Sequence, residues 1–144
     1  MTRTLRLAAL IACLALPLAA QDFAPLTDTS VRLEDFIWQK RPVVVFADSP
    51  ADPAFVEQMR ALEAGWPDLA ARDVVILTDT DPAAAGPARK ALRPRGFSIV
   101  LIEKDGTVAS RKPTPRDARE LSHAIDKMPI RREEMRARRG APGL

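Results

Sequence analysis

The clearest pattern along the chain is an unbroken apolar run, Pro42-Val43-Val44-Val45-Phe46-Ala47, that ends at the turn-forming Asp48-Ser49-Pro50-Ala51. A β-branched run without polar alternation predicts a central strand buried on both faces. Asp52 followed by Pro53 then reads as a helix start, with a side-chain cap and a proline at the first helical position. Phe55, Met59, Leu62 and Trp66 recur at helical spacing, and Gly65 and Pro67 mark a stop or a sharp kink. Asp73-Val74-Val75-Ile76-Leu77-Thr78-Asp79 is a second buried strand. Strand, helix, strand with such runs argues for a parallel pair joined by a right-handed crossover.

Further along, residues 80–96 mix prolines and glycines with alanines and basic residues, leaving room for one short helix over Pro87–Arg93, ended by Pro94. Phe97–Glu103 reads as a third strand, Asp105-Gly106 as a two-residue hairpin turn, and Thr107–Arg111 as a fourth strand. Thr114 is placed to cap a helix with Pro115 at its first position and Asp117 in its first turn. Ala118, Leu121, Ile125 and Met128 form its buried stripe. Pro129 opens another helical segment through Arg139, and residues 140–144 read as a disordered tail. Before the first strand, Leu33, Phe36, Ile37 and Trp38 read as anchors in a short helical turn.

The first twenty residues change the picture of where such a domain works. Arg3 and Arg6 precede the apolar stretch Leu7–Leu16, and Leu18-Ala19-Ala20 offers a small-residue exit, the three parts of a secretory signal. The stretch falls short of the ~20 apolar residues that span a bilayer. An alternative is that Leu10-Ile11-Ala12-Cys13 serves as a lipoprotein cleavage box and anchors an envelope protein through Cys13. Removal of residues 1–20 from the 144-residue chain leaves 124, the size of one domain. Residues 21–139 are then the folded unit, in a periplasmic or secreted protein.

Cys13 is the only cysteine, so processing after Ala20 leaves a chain with no thiol and no disulfide. The net charge of +3 includes Arg3 and Arg6, and residues 127–144 hold six basic against two acidic side chains. The basicity therefore belongs to the C-terminal segment, not to the whole surface. With no tyrosine and few other aromatic residues, a base-stacking platform for nucleic acid is not expected.

The order β-α-β, helix, β-hairpin, helix is the core order of a thioredoxin-like α/β fold, a four-stranded mixed sheet with helices on both faces. Gly96-Phe97-Ser98-Ile99-Val100-Leu101-Ile102-Glu103-Lys104-Asp105-Gly106 resembles the thioredoxin stretch of glycine, apolar residue, cis-proline, strand and turn. The resemblance fails at both reactive points. Asp48-Ser49-Pro50-Ala51-Asp52 stands where thioredoxins carry Cys-x-x-Cys, and Ser98 where they carry the cis-proline. Without a thiol of lowered pKa at a helix N-terminus, thiol-disulfide exchange is not expected of the processed chain.

Three segments, Phe36–Pro42, Leu101–Gly106 and Ile125–Met135, also resemble the domain-of-unknown-function family 4174. That resemblance implies the same fold and an extracytoplasmic setting: relatives occur as small exported bacterial proteins and as modules of animal extracellular proteins with sushi repeats. It implies no established activity. Glu103 departs from the glycine that the family's pattern leads one to expect before the lysine.

In open α/β sheets, ligands bind outside the carboxyl ends of the parallel strands. That edge gathers Asp48, Ser49, Asp52, Asp79 and Asp81, with Arg95 and Ser98 nearby. Asp48, Ser49, Asp79, Arg95 and Ser98 are the candidate binding residues. Asp48 and Asp79 could act as an acid-base pair or as oxygen ligands for a hard cation, whereas Asp52 and Asp81, each before a proline, suit helix caps. His123, the sole histidine, falls opposite the Leu121–Ile125 stripe and is expected at the surface. No zinc set, phosphate loop or nucleophile elbow is present, so no cofactor, metal or catalytic residue is assigned. Arg131, Arg132, Arg136, Arg138 and Arg139 could meet an acidic partner, although Glu133 and Glu134 are spaced to pair with Arg136 and Arg138. The expectation is an exported, non-catalytic binding module for an envelope or extracellular protein. The alternatives are a thiol-independent enzyme built on strand-end carboxylates and the lipid-anchored protein.

Overall fold

The Val43–Phe46 run is the middle of the sheet. In the computed structural model, which describes residues 21–141, β2 (Arg41–Phe46) is buried at every position. The other strands are β1 (Leu26–Thr27), β3 (Val74–Asp79), β4 (Ser98–Ile102) and β5 (Val108–Lys112), in the spatial order β1-β3-β2-β4-β5. β1, β2 and β3 run parallel, and β4 and β5 run antiparallel to their neighbours. The sheet thus has five strands where the sequence reading gave four. The fifth, β1, is two residues long and carries no periodic signal that could reveal it.

β2 alternates its side chains between two cores. Val43 and Val45 join Leu62, Leu69, Ile76, Leu101, Leu121 and Ile125 on one face, covered by α1 (Pro53–Ala64), α2 (Trp66–Ala70) and α4 (Ala118–Asp126). Val44 and Phe46 join Leu77, Ala88, Val100 and Ile102 on the other. That face is covered by α3 (Pro87–Leu92) and the 3-10 turns Asp28–Ser30 and Leu33–Phe36. Gly65 ends α1 and opens α2, where a Cβ would strike Ala118 of α4, so the close approach of α2 to α4 needs glycine. Leu33 and Phe36 pack as anchors, but Ile37 is 39% and Trp38 63% exposed.

α4 begins three residues later than Thr114 suggests. Asp117 and Glu120 form a reciprocal capping box, with Asp117 accepting from the Glu120 amide at 2.7 Å. The buried Gln58 holds the preceding loop, accepting from the Arg116 amide at 2.8 Å and donating to the Arg116 carbonyl at 2.7 Å. With both backbone groups of Arg116 bonded to Gln58, the helix starts after it. α5 (Pro129–Gly140) follows and includes Gly140. No helix among the described residues is long and apolar enough to cross a membrane. The expected secretory signal, its expected cleavage point and Cys13 lie outside the described residues, as do residues 142–144.

α5 is fastened to the sheet by charge. Arg41, 0% exposed, donates from Nε to Glu103 Oε1 at 2.7 Å and from Nη1 to the Arg72 carbonyl at 3.0 Å. Its Nη2 meets Glu134 Oε1 of α5 at 3.2 Å. Lys104 Nζ adds bonds to the same Glu134 oxygen at 2.6 Å and to Asp73 at 2.8 Å. Arg72 grips Asp126 with two bonds, at 2.9 and 2.7 Å. Glu134 therefore points into this network instead of pairing with Arg138, and its partner on its own helix is Arg131, itself buried.

Burial raises the Glu134 carboxyl, but the bonds from Lys104 and Arg41 outweigh it and leave the group below its ordinary value. The Arg72 bonds lower Asp126, against a smaller upward effect of burial. Carboxylates lowered by folding bind protons more weakly in the folded than in the unfolded chain. The stability they add is therefore full above the unfolded carboxylate range of about pH 4–4.5 and is lost as pH falls through the folded values beneath it. The contribution of these two carboxylates to the thermal midpoint should stay level from pH 7 to about 5 and then drop. The Asp126→Asn, Glu134→Gln double variant should melt lower at pH 7 and show a shallower acid limb. An acid limb unchanged by both substitutions would assign the acid sensitivity elsewhere.

Candidate functional site

The register across the sheet sets Asp79, Phe46 and Ser98 side by side at the carboxyl ends of the parallel strands. The candidate residues meet here, but not as one group. Asp79 is buried and its carboxylate is in use: Oδ2 pairs with Arg89 Nε at 2.7 Å, and Oδ1 accepts from the Asp81 amide at 3.0 Å. Arg89 Nη2 reaches the carbonyls of Ala47 at 3.2 Å and Asp79 at 3.3 Å, and the guanidinium lies 5.4 Å from the centre of the Phe46 ring. One arginine from α3 thus ties the ends of β2 and β3 together.

Asp48 is exposed and follows directly after Ala47, so it differs from Asp79 in solvation and in partners. Ser49 Oγ accepts from the Ala51 amide at 3.1 Å and shapes the turn. Asp52 Oδ1 caps α1 through the Ala54 amide at 2.8 Å, and Asp81 Oδ1 accepts from the Ala83 amide at 3.2 Å. The capping reading of Asp52 and Asp81 describes what both side chains do. His123 is exposed on α4. Among the described residues, no group of three or more His, Cys, Asp or Glu is placed to hold a metal ion.

Asp28 is the residue that sequence reasoning missed. It is buried, and its two oxygens accept from the Ala88 amide at 2.7 Å and the Arg89 amide at 3.1 Å. It caps α3 from sixty residues away, in place of Gly86, which lacks a side chain and where a Cβ would strike this carboxylate. Burial raises the Asp28 carboxyl; the two amide bonds act against that, and the neighbouring Asp79 carboxylate adds to it. The available signal was Gly86-Pro87 itself, a helix start with no acceptor of its own. Asp28, Asp79 and Asp81 share a pocket of about 220 Å³ with the hydroxyl residues Thr27, Thr78 and Thr80.

Arg95 and Ser98 line a different depression, of about 300 Å³, together with Arg93, Phe97, Arg111 and Pro113. Ser98 is buried at the first position of β4, whereas Arg93, Arg95 and Arg111 are exposed. A third cavity, about 220 Å³, is mainly apolar and opens beside the hairpin, with Leu33, Phe36, Ile37, Leu92, Ile102 and Val108 in its wall. The structure thus pairs Arg95 with Ser98 and separates both from the Asp79 pocket.

A mixed sheet with helices on both faces and an emptied strand-end loop defines a thioredoxin-like protein, and comparison with solved structures agrees. The chain superposes on reduced 2-Cys peroxiredoxin from Plasmodium vivax with a TM-score of 0.56 at 15% identity, covering 72% of this chain and 84% of that one. It superposes on reduced desulfothioredoxin from Desulfovibrio vulgaris Hildenborough with a TM-score of 0.54 at 20% identity, covering 75% and 100%. Chloroplastic thioredoxin z gives 0.55 at 19% identity, covering 74% and 94%. These likenesses concern the fold alone. Residues 32–134 match the domain of unknown function DUF4174, and the chain belongs to that family. No curated protein matches it.

Asp79 and Asp48 should separate in a stability measurement. Asp79→Ala leaves Arg89 largely buried beside an empty site and should cost about 3–5 kcal/mol in urea denaturation. Asp48→Ala should change stability by no more than about 0.5 kcal/mol. Similar losses for the two would contradict the division of roles described here.

Proposed function

We propose that this protein is an exported, non-catalytic thioredoxin-like module that binds another protein outside the cytoplasm. The observation that carries the reading is the loop between β2 and α1, the place of the reactive cysteines in thioredoxins. There Ser49 turns the chain and Asp52 caps the helix, and neither group is left over for chemistry. The Arg89 and Asp81 contacts of Asp79 argue in the same direction against the thiol-independent enzyme. The secretory pattern of residues 1–20 supports export, and the partner is an envelope or extracellular protein.

α5 gives the basic C-terminal segment a divided role. Arg131 is buried against Asp126 and Glu134, while Arg132, Arg136, Arg138 and Arg139 are exposed and remain available to an acidic surface. Deleting residues 129–144 would strip Arg41 of Glu134, so loss of binding in that truncation would confound folding with recognition.

The exported protein should reduce neither insulin disulfides nor hydrogen peroxide when supplied with dithiothreitol. Immobilised on resin, it should retain a protein from envelope extract saturably. Turnover in either assay above that of dithiothreitol alone would overturn the non-catalytic reading, and extracts that yield no saturable protein would overturn the binding role. Changing Arg132, Arg136, Arg138 and Arg139 to glutamate together separates recognition by α5 from recognition elsewhere, because the buried network stays intact.

A further inference from the structure

β5 is an outer strand of the sheet, so one of its edges has no neighbouring strand among the described residues. Its cross-strand partners fix which face its side chains occupy. Val108 lies opposite Ile102 and Arg111 opposite Val100, and both partners belong to the core on the α3 side. A register shift between Leu101 and Ile102 allows Val108 and Arg111, three residues apart, to share that face. Val108 borders the apolar cavity with Leu92 and Ile102, and Arg111 borders the depression with Arg93 and Arg95. The two hollows are therefore the two ends of one path along β5 on its α3 side.

The ends differ in chemistry. At the Val108 end the wall is mainly apolar, with Val108 45% and Ile37 39% exposed; the charges Glu34 and Lys40 offset each other, and Glu103, also in the wall, is answered by Arg41. At the other end three arginines face Phe97 and Ser98, with no acidic side chain in the wall. None of Arg93, Arg95 and Arg111 makes an ion pair among the described residues. Lys112 continues the charge along the strand. Unneutralised guanidinium groups grouped beside a partly apolar floor suit carboxylates presented by another chain.

We propose that this edge takes an extended acidic peptide segment. The segment adds a strand to β5, rests an apolar side chain against Val108 and Ile102, and sets carboxylates on Arg93, Arg95 and Arg111 from the next positions on the same face, two and four residues further on. Main-chain bonding at an open edge gives affinity, and side chains at alternate positions give selectivity. At roughly 3.3 Å per residue, an added strand of about five residues runs the length of β5, Val108–Lys112. A second copy of the chain is disfavoured on this edge, because its β5 would bring Arg111 and Lys112 against the same charges. The inference rests on the binding role proposed above and specifies the partner's chemistry.

The test uses the full-length exported protein and two fluorescein-labelled octapeptides with threonine at every odd position; the even positions, which share one face of a strand, carry two valines and then two glutamates in one peptide, and two valines and then two lysines in the other. Fluorescence anisotropy should show saturable binding of the glutamate peptide alone, weakening as salt is raised. Amide shifts should cluster on residues 91–97 and 108–112. Arg93→Ala, Arg95→Ala and Arg111→Ala together should weaken binding at least tenfold, and Val108→Asp should weaken it with those arginines intact. Circular dichroism of both variants checks that they fold. Equal affinity for the two peptides, or a triple variant that binds like the parent, overturns the proposal. So does competition by inorganic phosphate at the peptide's own concentration, which would reduce the arginines to an ion site, or concentration-dependent dimerisation through β5 in sedimentation. A partner from envelope extract held equally by parent and triple variant would leave the binding role standing and remove this edge from it.

Discussion

A guanidinium wholly withdrawn from water governs this structure. Taking such a charge out of solvent costs several kcal/mol, which only close and well-directed partners offset. Arg41 meets that demand with Glu103 from the end of β4, the Arg72 carbonyl ahead of β3 and Glu134 from α5. Each lies far away in sequence, so the arginine is answered only once the sheet is assembled and α5 is docked. Arg41 stands at the first position of the central strand, and its contacts fix how the last helix sits on the sheet. The network also explains why Phe36–Pro42, Leu101–Gly106 and Ile125–Met135 stand out together: Arg41, Glu103 with Lys104, and Asp126 with Glu134 are one assembly drawn from all three. Glu103, the departure from an expected glycine, is the direct counter-ion.

The opposite end of the sheet repeats the device with other residues. Arg89 joins Asp79 to the end of β2, and Asp28 holds the start of the helix that carries Arg89. Each edge of the central strands is closed by a buried cation and its carboxylates, with two apolar cores between. A domain without disulfides among its described residues gains directional fastening from such pairs, which apolar burial alone does not give. One consequence is that the Asp79 and Asp28 carboxylates are structural, whereas the exposed Asp48 takes no part in these networks. The arginines around Ser98 and the open side of β5 lie outside these networks.

How much of this could be read from the residues depends on where each signal lies. The Val43–Ala47 run, the Asp52-Pro53 start and the Asp105-Gly106 turn are local, and each element formed where its pattern put it. Asp52 and Asp81 were legible as caps because the side chain and the amide it serves are two residues apart. Asp28 was not, because sixty residues separate it from the helix it caps. Arg41 stands just before the apolar run, and nothing nearby in sequence announces its partners. Glu134 is the reverse case. Helical spacing offered it Arg138, yet the buried Arg41 and Lys104 won, since a pair held away from water exceeds an exposed i,i+4 pair of a few tenths of a kcal/mol. Of the five candidate site residues, Arg95 and Ser98 line one depression away from Asp79, and the arginines beside them at 93 and 111 come from separate elements that only the fold unites.

The strand-end loop shows why loss of thiols and retention of the fold are compatible. In thiol chemistry of this architecture, a helix N-terminus stabilises the thiolate through its free amides and its dipole. Here the first turn of α1 already holds an anion, because Asp52 Oδ1 accepts from the Ala54 amide at 2.8 Å. The feature that elsewhere would activate sulfur is satisfied internally by a carboxylate, and it stabilises the helix instead. A cysteine set into this loop would meet a negative charge at the position where it needs positive potential, so the local electrostatics here differ from those that activate a thiol, whichever residue occupies the loop.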